Sequence, residues 1–527
     1  MSAQDSLALF NPAPIPGERA AAPIRDVSLT IGVAAGSIAF APLLHVASPM
    51  LAISVETLIA CAIAVAAPAY APAIAIFILF FQNLFVSILS PYIADPSQVE
   101  FIKGYNFLSC SVMWLTTLAL YGLRRNDYSA EVHRLMAWGM FALGMVGVYF
   151  LIGFGQDPVA ASVYLRNIVL PLFLFQLSLL TAATYEVRVT PFFVAIAVIL
   201  ILCGYIEFAF RDFWLDITNG QAFWRFDEIK ATNSGVWEKE MRTTGNVFAD
   251  LKDRFKFGFL NTPLLDGLGL SEILRIFGPN MSPISFGYGV AFFGLFLYSV
   301  GYRLIALAAL PLVIFCSVKG ALILTLFVCM AWLSTRILGA VATLILGMLA
   351  LVLYAVLGIY TGLQIEDYHV LGFMGGWNGF LERPFGRGLG VGGNLSDGYA
   401  SIDWSAAQQA GAVDGAVESA VGVLLYQMGI AALIPLGFYL AMALKAWRLY
   451  AFSGLLTQGL AAFGVMMVLV NGIFQEEALF APPALGLLMC LTGLALGNAI
   501  RASRLKRLPT EATTVPFLAQ AGPRPHQ

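Results

Sequence analysis

Charged side chains are scarce in this chain, and several sit where they could bind an anion or move a proton. Arg275 opens the stretch Arg275-Ile-Phe-Gly-Pro-Asn280-Met-Ser-Pro-Ile-Ser-Phe-Gly287. A guanidinium fixed by a Gly/Pro-rich turn can donate two parallel hydrogen bonds, which suits a phosphate. A snorkelling arginine at a helix entrance fits the same residues. Lys319 stands in Ser317-Val-Lys-Gly320, a tight turn between two very apolar runs, and Arg166 in Tyr164-Leu-Arg-Asn167. The stretch 361–418 sets Arg383 and Arg387 against Glu366, Asp367, Glu382, Asp397, Asp403, Asp414 and Glu418, and includes His369, one of 4 histidines.

The centre of that stretch runs Trp377-Asn-Gly-Phe-Leu-Glu-Arg-Pro384-Phe-Gly386-Arg-Gly388-Leu-Gly390-Val-Gly-Gly393-Asn394. Glycine lets backbone N–H groups approach an anion closely. It is not a P-loop, since no Gly-Lys-Ser/Thr follows and no strand precedes it. Glu418 comes just before the apolar run Ala420–Leu444. It fits a general base held at a membrane surface, and equally a carboxylate favouring the positive end of a helix. Glu56, Glu207 and the pair Glu476-Glu477 complete the set. A charge at the bilayer centre costs about 2.5–3.5 kcal/mol, which makes each a functional candidate, although snorkelling near the interface lowers the cost.

The elements that must carry these residues are membrane helices. The 527 residues are 59% hydrophobic and 11% charged, with mean hydropathy +0.81, where a soluble domain has about 25% charged residues. A hydrocarbon core of about 30 Å needs ~20 apolar residues per helix. Candidate spans are 29–47, 50–67, 71–93, 105–123, 135–154, 165–184, 191–210, 285–301, 304–318, 321–335, 338–360, 419–443, 455–474 and 478–500. The expected fold is therefore an all-α polytopic membrane protein of about 14 transmembrane helices. The organisation is a tail (1–28), helices (29–210), a long loop (211–284), helices (285–360), a second long loop (361–418), helices (419–500) and a tail (501–527).

Short loops set the orientation. One set carries Arg19 and Arg25, then Arg124, Arg125 and Arg134, then Arg188, Arg303, Arg336, Lys445 and Arg448, and last Arg501, Arg504, Lys506 and Arg507. The alternate set holds Lys103 and Lys319, with Arg166 just inside the next span. Both termini are thus expected in the cytoplasm and both long loops outside. The first 26 residues lack the basic start of a cleaved signal, so the first span is expected to remain as an anchor. The 6 cysteines all fall within spans, which leaves no loop disulfide or thiolate zinc site. In the first long loop, 246–258 places Val247, Phe248, Leu251 and Phe255 on one helical stripe, either a cap on the bundle or a lid in the headgroup layer.

Taken together, these stretches resemble the O-antigen ligase/polymerase family of bacterial inner-membrane glycosyltransferases, best over 270–445. Arg275–Ser285 is similar to the family's arginine followed by Gly and Pro-Asn entering a helix, and Ser317–Gly320 to its Ser-Arg-Gly turn, with lysine in place of arginine. Trp377–Gly390 matches a Trp…Pro-x-Gly-x-Gly-x-Gly signature, and Glu418 with Leu425-Tyr-Gln-Met-Gly-Ile430 fits the last motif, where ligases have histidine. The glutamate leans towards the polymerase branch.

The resemblance implies a GT-C-like fold and metal-independent transfer of a glycan from a polyprenyl-diphosphate carrier at the periplasmic face, with no cofactor. Arg275 and Arg166 would hold the diphosphate, Lys319 supporting. Glu418, or else His369 or Asp414, would take the proton from the acceptor hydroxyl. Arg383 and Arg387 would add substrate contacts, while Trp377, Trp404 and the tryptophans of the first loop (Trp214, Trp224, Trp237) would stack on sugars. The implied partners are the lipid-linked glycan, an acceptor glycan, membrane lipid, and chain-length and export proteins, with no nucleic acid. A transporter or flippase for lipid-linked sugars is the alternative, and it would show an internal repeat and a polar path through the membrane.

Overall fold

The computed structural model describes residues 21–93, 95–233, 256–257, 273–396, 399 and 402–507. Each apolar run forms helix. The first seven are α1 (Ala21–Ala47), α2 (Pro49–Ala66), α3 (Ala71–Leu89), α4 (Tyr105–Leu123), α5 (Ala130–Phe154), α6 (Pro158–Thr184) and α7 (Thr190–Ala209). The later ones are α8 (Pro283–Ser299), α9 (Arg303–Phe315), α10 (Lys319–Leu338), α11 (Ala340–Gln364), α12 (Leu433–Ser453), α13 (Leu456–Asn471) and α14 (Leu487–Arg507). Among the described residues 11 helical stretches are long and apolar enough to cross a membrane, while α8, α9 and α13 are shorter apolar helices. The chain is a helical, multi-pass membrane protein.

Two expected spans are interrupted. The run 419–443 is a helix Ala420–Met428, a tight turn Gly429–Ala432 and then α12. Gly429 has φ +57, a conformation that suits a residue without Cβ. The run 478–500 begins as Glu476–Phe480 and passes through a wide turn at Pro482–Gly486 before α14, because Pro482 and Pro483 lack the N–H groups a regular helix needs.

Burial follows the logic of a membrane bundle. The stretch Pro482–Arg504 is almost wholly enclosed by protein, and most of α3 and α6 is buried as well. By contrast α11 turns Leu349, Val352, Leu353 and Val356 outward, each more than half exposed. Lipid tails are as apolar as leucine, so such helices gain little by burying those faces, and close packing of small residues holds the centre instead. Gly493 and Gly497 on α14 form a small-x-x-x-small pair against α6. A Cβ on Gly493 would lie 2.4 Å from the Phe175 carbonyl oxygen, and one on Gly497 2.7 Å from that of Leu179.

The first long loop is largely structured where it is described. Helices Arg211–Thr218 and Gly220–Asn233 close one end of the bundle. There Trp214 and Trp224 are buried in a cluster with Phe277 and Met281. These two tryptophans serve as core, which corrects their expected role on sugars. Lys256–Phe257 pairs antiparallel with Ile273–Leu274, so the end of the 246–258 stripe is extended rather than helical. The rest of that stripe, and Trp237, lie outside the described residues.

Gly493→Val should overpack the α6–α14 contact at a cost of about 1–3 kcal/mol or more. Detergent-solubilised protein should show a lower thermal midpoint and lower yield. An unchanged midpoint would contradict the close-packed centre.

Candidate functional site

Arg275 is held in place from behind. The buried Glu207 carboxylate, at the end of α7, accepts hydrogen bonds from the backbone N–H groups of Phe277 (3.1 and 3.2 Å) and Gly278 (2.6 Å). Arg211 Nη2 bridges to Glu207 Oε1 at 2.9 Å and also donates to the Arg275 carbonyl. Gly278 adopts φ +58 with its Cα against the Phe286 ring, where a Cβ would come within 2.3 Å. Glu207 therefore fixes the Arg275 turn. Asn280 completes it, donating to the Leu79 carbonyl at 3.0 Å while its own carbonyl accepts from Asn83.

Arg275 Nη2 donates to the Ser317 carbonyl at 3.1 Å, so the arginine turn and the lysine turn are joined directly. Ser317 has φ +52, an uncommon conformation for a residue with a side chain. Gly320 leaves no room for a Cβ, which would stand 2.1 Å from the Tyr288 hydroxyl. Asn471 Nδ2 donates to the Gly320 carbonyl (3.1 Å), the Tyr354 hydroxyl donates to Asn471 Oδ1 (3.1 Å), and Tyr288 donates to Gln475 Oε1 (3.1 Å). This polar net anchors Lys319 at the first turn of α10, where its side chain is exposed. Arg275, Lys319, His369, Tyr354 and Gln475 line one cavity of about 270 Å³. Burial lowers the pKa of Arg275, and Glu477 nearby opposes that shift.

His369 reaches the cavity because its helix has almost no side chains on one face. In Tyr368–Glu382, glycines 372, 375, 376 and 379 recur at helical spacing. A Cβ on Gly372 would lie 1.9 Å from the Val417 carbonyl oxygen, and one on Gly376 2.4 Å from that of Gly422. The helix thus lies against the backbone of 413–422, and its cap Asp367 accepts from the N–H groups of His369 and Val370. His369 Nδ1 is 3.2 Å from the Glu418 carbonyl oxygen and 3.5 Å from Oε2. Glu418 itself has φ +60. Its N–H donates to Asn394 Oδ1 at 2.8 Å, and its Oε1 accepts from the Tyr399 hydroxyl at 2.6 Å. Burial and the Glu418 charge push the Tyr399 pKa up, which keeps it a donor.

The remaining expected residues fall elsewhere. Arg387 is structural: Nη1 donates to the Gly379 carbonyl at 2.7 Å, Nη2 bridges to Glu382 at 3.2 Å, and the guanidinium stacks 3.9 Å from the Tyr426 ring centroid. Arg383 and Asp414 are exposed, Trp377 projects outward beside Phe380, and none of the three lines the cavity. Trp404 packs edge-on against Tyr368. Arg166 does not join Arg275. It lines a second cavity of about 340 Å³ with Asn394 and Glu477.

The glycine signature does not cradle an anion at 387–389. The N–H groups of Arg387 and Gly388 donate to the Gln427 carbonyl, and that of Leu389 to the Tyr149 carbonyl. Gly388 and Gly390, both at positive φ, press on the backbones of Gly153 and Ala161. The turn therefore seats on α5, α6 and the Leu425–Ile430 break, where Ile430 donates to the Pro384 carbonyl at 2.8 Å. Two sequence motifs are thus one packed unit.

Sequence reasoning missed Asn394, Tyr399, Tyr288, Asn471 and Gln475 as parts of the site. The glycine spacing at 372–379 was a readable signal for the helix that carries His369. Among the described residues no group of three or more His, Cys, Asp or Glu side chains gathers as metal ligands.

Glu476 adds a titration. Its Oε1 accepts from the Tyr164 hydroxyl at 2.8 Å. Burial pushes its pKa from 4.5 up to about 8, with Glu477 and Glu418 adding to the rise. Its folded-state pKa is raised, so between these values the folded protein holds a proton that the unfolded chain releases, and stability falls as pH rises. The thermal midpoint should drop from about pH 5 to about pH 8, and Glu476→Gln should flatten that slope. Parallel curves for variant and wild type would refute the assignment. In comparisons with known proteins, no family model, no curated protein and no solved structure matches the chain.

Proposed function

We propose that the chain is a membrane glycosyltransferase that polymerises, or ligates, polyprenyl-diphosphate-linked oligosaccharide repeat units for an exopolysaccharide or O-antigen. The reading places about 14 spans in a bacterial inner membrane, with both termini cytoplasmic and the site at the periplasmic face, as the short-loop charges favour. The observation that carries it is the gathering of Arg275, Lys319 and His369 around one cavity at the loop end, with Glu418 behind the histidine.

Arg275 and Lys319 supply two positive charges for a diphosphate, and in a site of low dielectric such charges stabilise a leaving group far more than in water. Tyr354, Gly358 and Thr361 of α11 line the same cavity, while the lipid-facing side of α11 offers a path for a polyprenyl tail. The acceptor hydroxyl oxygen bonds to the anomeric carbon as the bond from that carbon to the phosphate oxygen breaks. The diphosphate departs with the electron pair.

The hydroxyl proton goes to His369 Nε2. The Nδ1–H donates to the Glu418 backbone carbonyl at 3.2 Å, with Oε2 3.5 Å away, so the glutamate positions the base rather than acting as one. This division follows nucleophile–base–orienter logic, and it differs from the expectation that placed Glu418 first. Lysine at 319 keeps the charge of the family's arginine without its bidentate fork.

In proteoliposomes supplied with lipid-linked repeat units, Arg275→Ala should slow glycan extension by about 10²–10³-fold. His369→Ala should slow it by about 10²–10⁴-fold. Rates within twofold of wild type for well-folded variants would remove these roles. Movement of lipid-linked units across the bilayer without extension would favour the transporter.

A further inference from the structure

The second cavity has the chemistry of a sugar site. Neighbouring residues of one turn line both cavities, Gln475 the cationic one and Glu476 and Glu477 this one, and five asparagines line it: Asn83, Asn106, Asn167, Asn280 and Asn394. Its volume, about 340 Å³, falls within the usual range of small-molecule sites, about 300–1,000 Å³. It is built from α3, α6, the entry to α8 and the turn before α14.

Four of these amides are oriented by a bond to protein. Asn83 Nδ2 donates to the Asn280 carbonyl, and Asn280 Nδ2 to the Leu79 carbonyl, which leaves their Oδ1 atoms as acceptors. Asn167 Oδ1 accepts from Arg166 Nε, and Asn394 Oδ1 from the Glu418 N–H, which leaves their Nδ2 groups as donors. Such a mixed, fixed set of donors and acceptors matches hydroxyl groups, each of which both donates and accepts. A purely anionic ligand would call for donors alone. Arg166 lines the same wall.

We infer that this cavity binds a hydroxyl-rich sugar ring of the acceptor glycan and presents its hydroxyl to the first cavity. The inference rests on the transferase reading above. Assignment to acceptor rather than donor follows from the surroundings. The cationic cavity borders the lipid-facing α11, as a carrier-bound donor requires, whereas the asparagine cavity borders α3 and α6, helices that pack mostly inside the bundle. The two are coupled through Asn394, which holds the backbone of Glu418, and through Glu477, whose carboxyl lies within electrostatic reach of both Arg275 and His369. Arg166 is thereby moved from the diphosphate to the acceptor sugar.

The test uses full-length protein in nanodiscs with two probes: undecaprenyl diphosphate for the cationic cavity, and lipid-linked repeat units extracted from a deletion strain for extension. Asn106→Leu fills the asparagine cavity from a residue that bonds neither turn, and Asn167→Leu is the second variant should the first fold poorly. The expected result is a tenfold or greater rise in KM for repeat units, with undecaprenyl diphosphate binding within twofold of wild type. Arg275→Ala should show the reverse, losing undecaprenyl diphosphate binding. Folded leucine variants with an unchanged KM, or with weakened undecaprenyl diphosphate binding instead, would overturn the acceptor site alone. Wild type that neither binds undecaprenyl diphosphate nor extends glycan would overturn the transferase reading, and this site with it.

Discussion

A helix without side chains on one face can lie directly against another backbone, and the loop end of this protein depends on that contact. Glycines 372, 375, 376 and 379 bring the helix Tyr368–Glu382 onto the segment 413–422, and only that approach sets His369 beside Glu418. Any Cβ on this face would meet a backbone atom or a packed ring, so the helix would stand off and the pair would separate. The same device recurs at Gly386, Gly388 and Gly390, which seat the following turn on α5, α6 and the Gly429 break. Backbone contact of this kind tolerates no slack. It is therefore suited to holding the side chains around the cavity in register.

The second constraint is electrostatic. Bringing Arg275 into a half-buried turn is costly unless its surroundings are neutralised and its backbone is satisfied. Glu207 answers the backbone need by accepting from two N–H groups, and Arg211 balances its charge. Three uncommon backbone conformations, at Met281, Ser317 and Glu418, fall at the ends of the three turns that meet here. Strain of about 1–3 kcal/mol per residue persists only where surrounding contacts over-determine it. The hydrogen-bond net of Tyr288, Tyr354, Asn471 and Gln475 supplies such contacts around Ser317–Gly320.

Much of the scaffold was legible from composition and apolar run length, because a membrane helix is a long, local signal. The helix break at Gly429 and the wide turn at Pro482 were less so, since apolarity continues through both. The site was legible by residue type rather than by partnership. Arg275, Lys319 and His369 stood out as charges in an apolar chain, yet nothing in their spacing says that Arg166 faces a different cavity or that Arg387 is tied to Tyr426. Trp214 and Trp224 misled for the opposite reason: tryptophan suits sugars and cores alike, and only tertiary packing tells which. Neutral partners such as Asn394, Tyr399 and Asn471 carry no sequence signal of their own.

The central claim is that one cavity at the loop end joins glycans carried on a polyprenyl diphosphate. It is tested most directly by the length distribution of lipid-linked and surface glycan in a deletion strain, with and without the wild-type chain restored. The account predicts single repeat units on the carrier or acceptor in the deletion strain, or full-length polymer stranded on its carrier for a ligase, with normal surface glycan on restoration. Repeat units trapped on the cytoplasmic side, or glycan of unaltered length and attachment, would contradict it.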